Sequence, residues 1–190
     1  MPIKIFVDQG HNPESVNAGA EGQGLREQDI TYNVGIYLAD ILNNDPRFEA
    51  RTSRTSPTEI LGYNNTSSLQ ARVEMANSWP ANYFISIHCN SSENPSYNGT
   101  EVYVERAYSQ AYYLAEYVLN AIVNRVGTRD NGVRMNPSLY VLRRTTMPAI
   151  LVELAYITNY EDAQKLRDDQ YQFAYAIYEG LLEYFGLEPV

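Results

Sequence analysis

The chain has one cysteine and only two histidines in 190 residues. A single cysteine excludes an internal disulfide and a thiolate metal cluster. Two histidines exclude a three-histidine metal site. No apolar run approaches the ~20 residues that a bilayer span requires. The N-terminal stretch MPIKIFVDQG has neither the apolar core nor the small-residue cleavage site of a signal peptide. Its absence fits a protein that stays where it is made, one that leaves by another route, or a signal trimmed from a longer chain. Repeats and low-complexity linkers are missing too. Basic residues are in the minority, 14 against 23 acidic ones, for a net charge of −9. Such a surface repels phosphate backbones, so nucleic acid is not an expected partner. It also argues against electrostatic adhesion to an anionic membrane or wall.

The length suits one domain over residues 1–190 with a sizeable core. Strand and helix patterns alternate. Ile3 to Val7, Phe48 to Thr52, Tyr83 to Cys89, Glu101 to Val104, Leu139 to Leu142 and Ala149 to Leu154 read as strands. Ile30, Val34, Leu38, Ile41 and Leu42 recur at helical spacing, and Ser109 to Val126 and Tyr171 to Tyr184 read as helices. Ser67 to Gln70 and Thr158 to Glu161 look like capping boxes. Strands that are apolar on both faces, interleaved with helices, predict a twisted, mostly parallel sheet with helices on both faces. Ligands of such α/β folds gather beyond the carboxyl ends of the strands. Here that means after Val7, after Ile87 and around Glu153. The 17 tyrosines suit half-buried packing, and some suit a groove for an amphipathic substrate such as a sugar.

Both histidines fall at that edge. His11 lies in a loop just after the first strand, and His88 ends an apolar strand. Either one alone reads as structural; the pair points to a metal. The third ligand must be a carboxylate or Cys89. Adjacent strand side chains point to opposite faces, which separates Cys89 from His88 and suits it to a buried apolar role. A two-histidine, one-carboxylate set leaves a fourth position for water. Glu27, opening the first helix after a flexible stretch, is the first candidate, though a first-turn glutamate also suits the helix dipole. Asp8 is the alternative. Glu153 interrupts the apolar run PAILVELAYI, and an unpaired buried carboxylate loses its hydration. It reads either as an ion pair with Arg72 or Arg143, or as a general base beside the metal.

VDQGHN, Glu27, SLQARVEMAN, FISIHCN, GTEVYV, GVR, LYVLRR and PAILVELAYITN follow one another in an order that resembles the zinc-dependent N-acetylmuramoyl-L-alanine amidases of the type 3 catalytic-domain family. The resemblance runs from Ile3 to the C-terminal helix. It implies a single α/β domain, Zn²⁺ held by His11, Glu27 and His88, and Glu153 as catalytic acid and base. It implies peptidoglycan as substrate, cut at the amide between the lactyl group of N-acetylmuramic acid and L-alanine, and action on the bacterial cell wall as an autolysin or an endolysin. Gln9, Asn12, Cys89, Asn131, Ala155 and Tyr156 depart from the usual pattern, and none of them removes a ligand or the carboxylate. Asn90, Arg72 and Asn159 are expected to orient substrate from their places in the motifs. Two other readings compete. One is a zinc peptidase cutting within the stem peptide, and the other is a non-catalytic wall-binding module.

Overall fold

Runs such as IKIFV, YFISI and AILV bury side chains on both faces, so they form strands only where helices cover both sides. The computed structural model describes all 190 residues and shows that arrangement. In chain order the elements are β1 (Ile3–Gln9), the two-residue β2 (Glu21–Gly22) and β3 (Leu25–Arg26), α1 (Glu27–Asn44), β4 (Phe48–Thr52) and α2 (Asn65–Ser78). Then come β5 (Tyr83–Asn90), β6 (Thr100–Val104), α3 (Gln110–Val126), β7 (Asp130–Met135), α4 (Tyr140–Arg144), β8 (Ala149–Tyr156), α5 (Tyr160–Asp168) and α6 (Gln170–Phe185). Six strands form one sheet in the order β4-β1-β5-β8-β6-β7. Neighbours are parallel except β6 and β8. The chain is thus a single α/β domain.

Alternation along the strands divides the interior in two. Ile5 and Val7, Ile85 and Ile87, Val102 and Val104, and Ile150 and Val152 face α1, α3 and α6 in a cluster of 33 buried residues. Phe6, Phe84, Ala149 and Leu151 face α2 and α4 in a cluster of 10. Asp8, Ser86, His88, Glu101 and Glu153 continue that second face toward the sheet edge, by the same alternation. Because β6 is reversed, its start lies at the edge where β1, β5 and β8 end.

Local chemistry moves several boundaries. Leu139 to Leu142, predicted as a strand, instead leads into α4. One helical turn packs Val141 and Leu142 against the second face and leaves Arg143 and Arg144 in water. The capping box of α2 begins at Asn64, not Ser67. The Asn64 side chain accepts from the Ser67 N–H at 2.8 Å, and the Ser67 hydroxyl oxygen accepts from the Asn64 N–H at 3.0 Å. Asn159 caps α5 by accepting from the Asp162 N–H at 3.0 Å, one residue beyond the expected Thr158. β7 carries the sequence DNGVRM on an outer strand that is largely exposed, so it has no apolar pattern to announce it.

Candidate metal centre

β1 ends at Gln9, and Gly10 lets the chain pass over the end of β5. A Cβ on Gly10 would stand 2.5 Å from His88 Cε1 and 2.6 Å from the Ile87 carbonyl oxygen. The chain then turns at His11, whose φ of 71° is left-handed. That conformation is uncommon for a residue other than glycine and persists only where its surroundings enforce it. Here they do. The Asn12 N–H donates to the Asn17 carbonyl at 2.9 Å. The buried Asn12 amide donates to the carbonyls of Val16 (2.9 Å) and Leu61 (3.0 Å). Arg72, fully buried on α2, donates to the carbonyls of Gln9 and His11, to Asn12 Oδ1 and to Asp8 Oδ1. Ser86 also donates to Asp8, at 2.7 Å. Burial alone would raise the Asp8 carboxyl, but the Arg72 charge and these hydrogen bonds hold it below the usual range.

Glu27 is fixed at the start of α1. Its Oε2 accepts from the Ala20 N–H and its Oε1 from the Cys89 N–H, both at 2.8 Å. Oε1 also lies 3.2 Å from His11 Nε2 and 3.2 Å from His88 Nδ1, and the two ring nitrogens are 3.2 Å apart. The three atoms form a nearly equilateral triangle. Ligand atoms on a tetrahedral ion with bonds of about 2.0–2.1 Å stand about 3.3–3.4 Å apart, so the triangle fits such an ion. His11 Nδ1 faces the Asn17 carbonyl at 3.2 Å. A carbonyl only accepts, so the ring hydrogen belongs on Nδ1 and a lone pair remains on Nε2. Burial works to raise the Glu27 carboxyl, but contacts with His11 and His88 dominate and hold it far below the ordinary range. It is therefore an anion, as a ligand must be. His11, Glu27 and His88 thus form a group able to hold a metal ion. Asp8, the alternative ligand, is committed to Arg72.

Glu153 is the direct cross-strand partner of His88 on one side and of Glu101 on the other. Its Oε2 is sealed from solvent and has no hydrogen-bond partner. It forms no ion pair with Arg72 or Arg143. Burial, with the neighbouring Glu27 and Glu101 carboxylates, pushes its carboxyl well above the usual range. Glu101 is held in turn by Arg134 Nε at 2.6 Å, by the Tyr103 hydroxyl at 3.0 Å and by the Asn90 amide. From the sequence Glu101 reads only as a strand residue, and the acid within GTEVYV is the available signal.

Of the three residues expected to orient substrate, two are placed otherwise. Arg72 is buried beneath the His11 loop with its guanidinium committed to β1 and that loop, so it positions His11 and cannot reach a substrate. Asn159 uses both ends of its amide within the fold, capping α5 and donating to the Pro95 carbonyl at 2.8 Å. Asn90 lies at the site and orients Glu101. Cys89 lies in the larger apolar cluster, as alternation required, and burial raises its thiol far above the reactive range.

Comparison with known proteins adds three findings. Residues 5–183 match the family described as N-acetylmuramoyl-L-alanine amidase (Amidase_3). The chain is 34% identical over 187 residues to the N-acetylmuramoyl-L-alanine amidase LytC of Bacillus subtilis, covering 95% of this chain and 35% of LytC. It therefore spans about a third of that relative's length. Among solved structures, the N-acetylmuramoyl-L-alanine amidase AmiC2 of Nostoc punctiforme superposes with a TM-score of 0.83 at 37% identity, covering 97% of both chains. An N-acetylmuramoyl-L-alanine amidase of Clostridium difficile 630 does so with a TM-score of 0.86 at 30% identity, covering 99% of both.

Proposed function

Because the chain belongs to the N-acetylmuramoyl-L-alanine amidase family, we propose that it is a zinc-dependent hydrolase that cuts the amide between N-acetylmuramic acid and L-alanine in peptidoglycan. His11 through Nε2, Glu27 through Oε1 and His88 through Nδ1 would hold the ion. Zn²⁺ bound there supplies Lewis-acid polarisation of the scissile carbonyl and acidifies water. Glu153 moves the protons. Its part-buried carboxylate, which has no counterion, accepts a proton from the attacking water as the oxygen adds to the carbonyl carbon. It then gives that proton to the alanine nitrogen as the C–N bond breaks, leaving a carboxylic acid and an amine. Glu101 keeps the proton affinity of Glu153 high, and Asn90, Tyr103 and Arg134 hold Glu101 in place. Asn90 thus acts as a positioning residue. The site of action in this reading is the bacterial cell wall.

One observation carries the reading. Three ligand atoms stand 3.2 Å from one another beside a carboxylate that has no structural partner. A carboxylate kept only to staple the fold would be paired. The test is digestion of purified peptidoglycan followed by mass spectrometry. New L-alanine amino termini, lost on chelation and restored by Zn²⁺, are expected. New termini further along the peptide would instead make the chain a peptidase. Binding to the wall without any cleavage would make it a wall-binding module.

A further inference from the structure

A cleft opens at the same edge of the sheet, beyond Glu101, with a volume of about 300 Å³. Its walls are the loop between β5 and β6, the start of β7 and the end of β8. Each wall is pinned. Asn131 donates to the Asn98 carbonyl at 2.7 Å. Buried Asp162 accepts from the Gly99 N–H at 2.8 Å and from the Tyr156 N–H at 2.9 Å, which ties two walls to α5. Gly99, at φ 109°, lets the loop lie against the strand. A Cβ there would stand 2.5 Å from the Arg129 carbonyl oxygen. The cleft is therefore preformed. The rings of Tyr97 and Tyr156, with centroids 6.3 Å apart, form its flank.

Its lining is opposite in sign to the net charge of the chain. The chain as a whole carries −9, yet this cleft is lined by Arg129 and Arg134 and by no acid. Arg134 is paired with Glu101. The Arg129 guanidinium is exposed and has no carboxylate within ion-pair distance, so it is uncommitted. An uncommitted planar guanidinium beside asparagine amides and aromatic faces suits a carboxylate.

We propose that this cleft binds a free carboxylate of the substrate's peptide, with Arg129 as the residue that distinguishes carboxylate from carboxamide. The inference rests on the amidase reading above. In that substrate the lactyl carboxyl is consumed in the scissile amide, so free carboxylates lie on the peptide side of the bond. Two strand spacings separate β8 from β7, about 10 Å. Extended peptide advances about 3.4 Å per residue. The carboxylate therefore belongs to the second or third residue of the stem, and the peptide runs from Glu153 across β6 toward β7.

The test uses N-acetylmuramoyl-tripeptides that differ by one group, a free carboxylate or a carboxamide, on the second or on the third residue. For the full chain, amidation at one of these residues is expected to raise KM roughly tenfold with kcat nearly constant. In Arg129→Gln that preference should fall to about one. Arg129→Lys should restore part of it. Equal kinetics for every pair, or a preference that survives in Arg129→Gln, would overturn the subsite and leave the amidase reading standing. No hydrolysis of any pair would remove both. Insensitivity to amidation, with inorganic phosphate competing in the full chain but not in Arg129→Gln, would assign the cleft to a phosphate-bearing ligand instead.

Discussion

The two faces of the central sheet are built from the same strands and do opposite work. One face buries 33 residues under α1, α3 and α6. The other buries 10 under α2 and α4 and then turns polar, through Asp8, Ser86 and Arg72, to His88, Glu153 and Glu101. The difference lies in what each face must offset. An apolar side chain is stabilised by burial alone, at roughly 1.5–3 kcal/mol for a large one. A buried ion loses hydration and needs partners. The polar face supplies them almost everywhere. Three buried side-chain polar atoms lack a partner, Arg54 Nε, Arg72 Nε and Glu153 Oε2, and all belong to the edge that carries the site. Glu153 is the one acid among them, and it has no ion pair, whereas Arg72 is paired with Asp8.

That contrast separates activity from stability. The largest effect is expected at Glu153. Glu153→Gln should lower hydrolysis by about 10²–10⁴-fold, with the melting temperature unchanged or raised, in peptidoglycan assays and thermal unfolding. A variant that keeps its rate would remove Glu153 as the proton carrier. Next comes the layer beneath. Arg72→Leu leaves Asp8 buried without its cation and should cost about 3–5 kcal/mol in denaturant unfolding. A loss below about 1 kcal/mol would mean that the polar layer is not held by this pair. On the opposite face, Leu114→Ala on α3 should cost about 2–5 kcal/mol while activity per folded molecule stays constant. A change in kcat would show that the two faces are not independent. Gly10→Ala, which drives a methyl group against His88, should weaken metal affinity about 10–100-fold, read by competition with a chelator.

The smallest effect is one of pH. The Glu153 carboxyl is raised in the folded chain, so the folded state holds its proton over a range in which the unfolded chain has lost it. Stability from this group is fully present below the ordinary carboxyl range, and it falls as pH rises through the raised value. Metal-free protein should therefore lose stability over that interval relative to metal-free Glu153→Gln. Parallel curves for the two would place Glu153 in a hydrated setting.

The same contrast explains what the sequence could tell. β1, β5 and β8 were legible because both faces are apolar, and His88 and Glu153 stood out because each breaks such a run. Cys89 was separable from His88 by alternation alone. β7 was not legible, since an exposed outer strand has no apolar period. α4 is hidden in the sequence because Leu139 to Leu142 are strand-prone in isolation, and only their packing against the second face selects a helical turn. Arg72 and Asn159 stand in the right motifs, but motif position does not say whether a side chain points at a substrate or back into the fold. Nor does spacing reveal that residues 11, 27 and 88 meet within hydrogen-bonding distance; that follows from Arg72 and Asn12 closing the His11 loop and from the backbone of Ala20 and Cys89 gripping Glu27.

The convergence of those three side chains is most directly tested by counting metal. Wild type, Glu153→Gln and His88→Ala should be purified in parallel and their zinc content measured by elemental mass spectrometry. About one ion per chain is expected in the first two and little in the third. One ion per chain in His88→Ala, or none in the wild type after exposure to Zn²⁺, would contradict the metal centre formed by His11, Glu27 and His88.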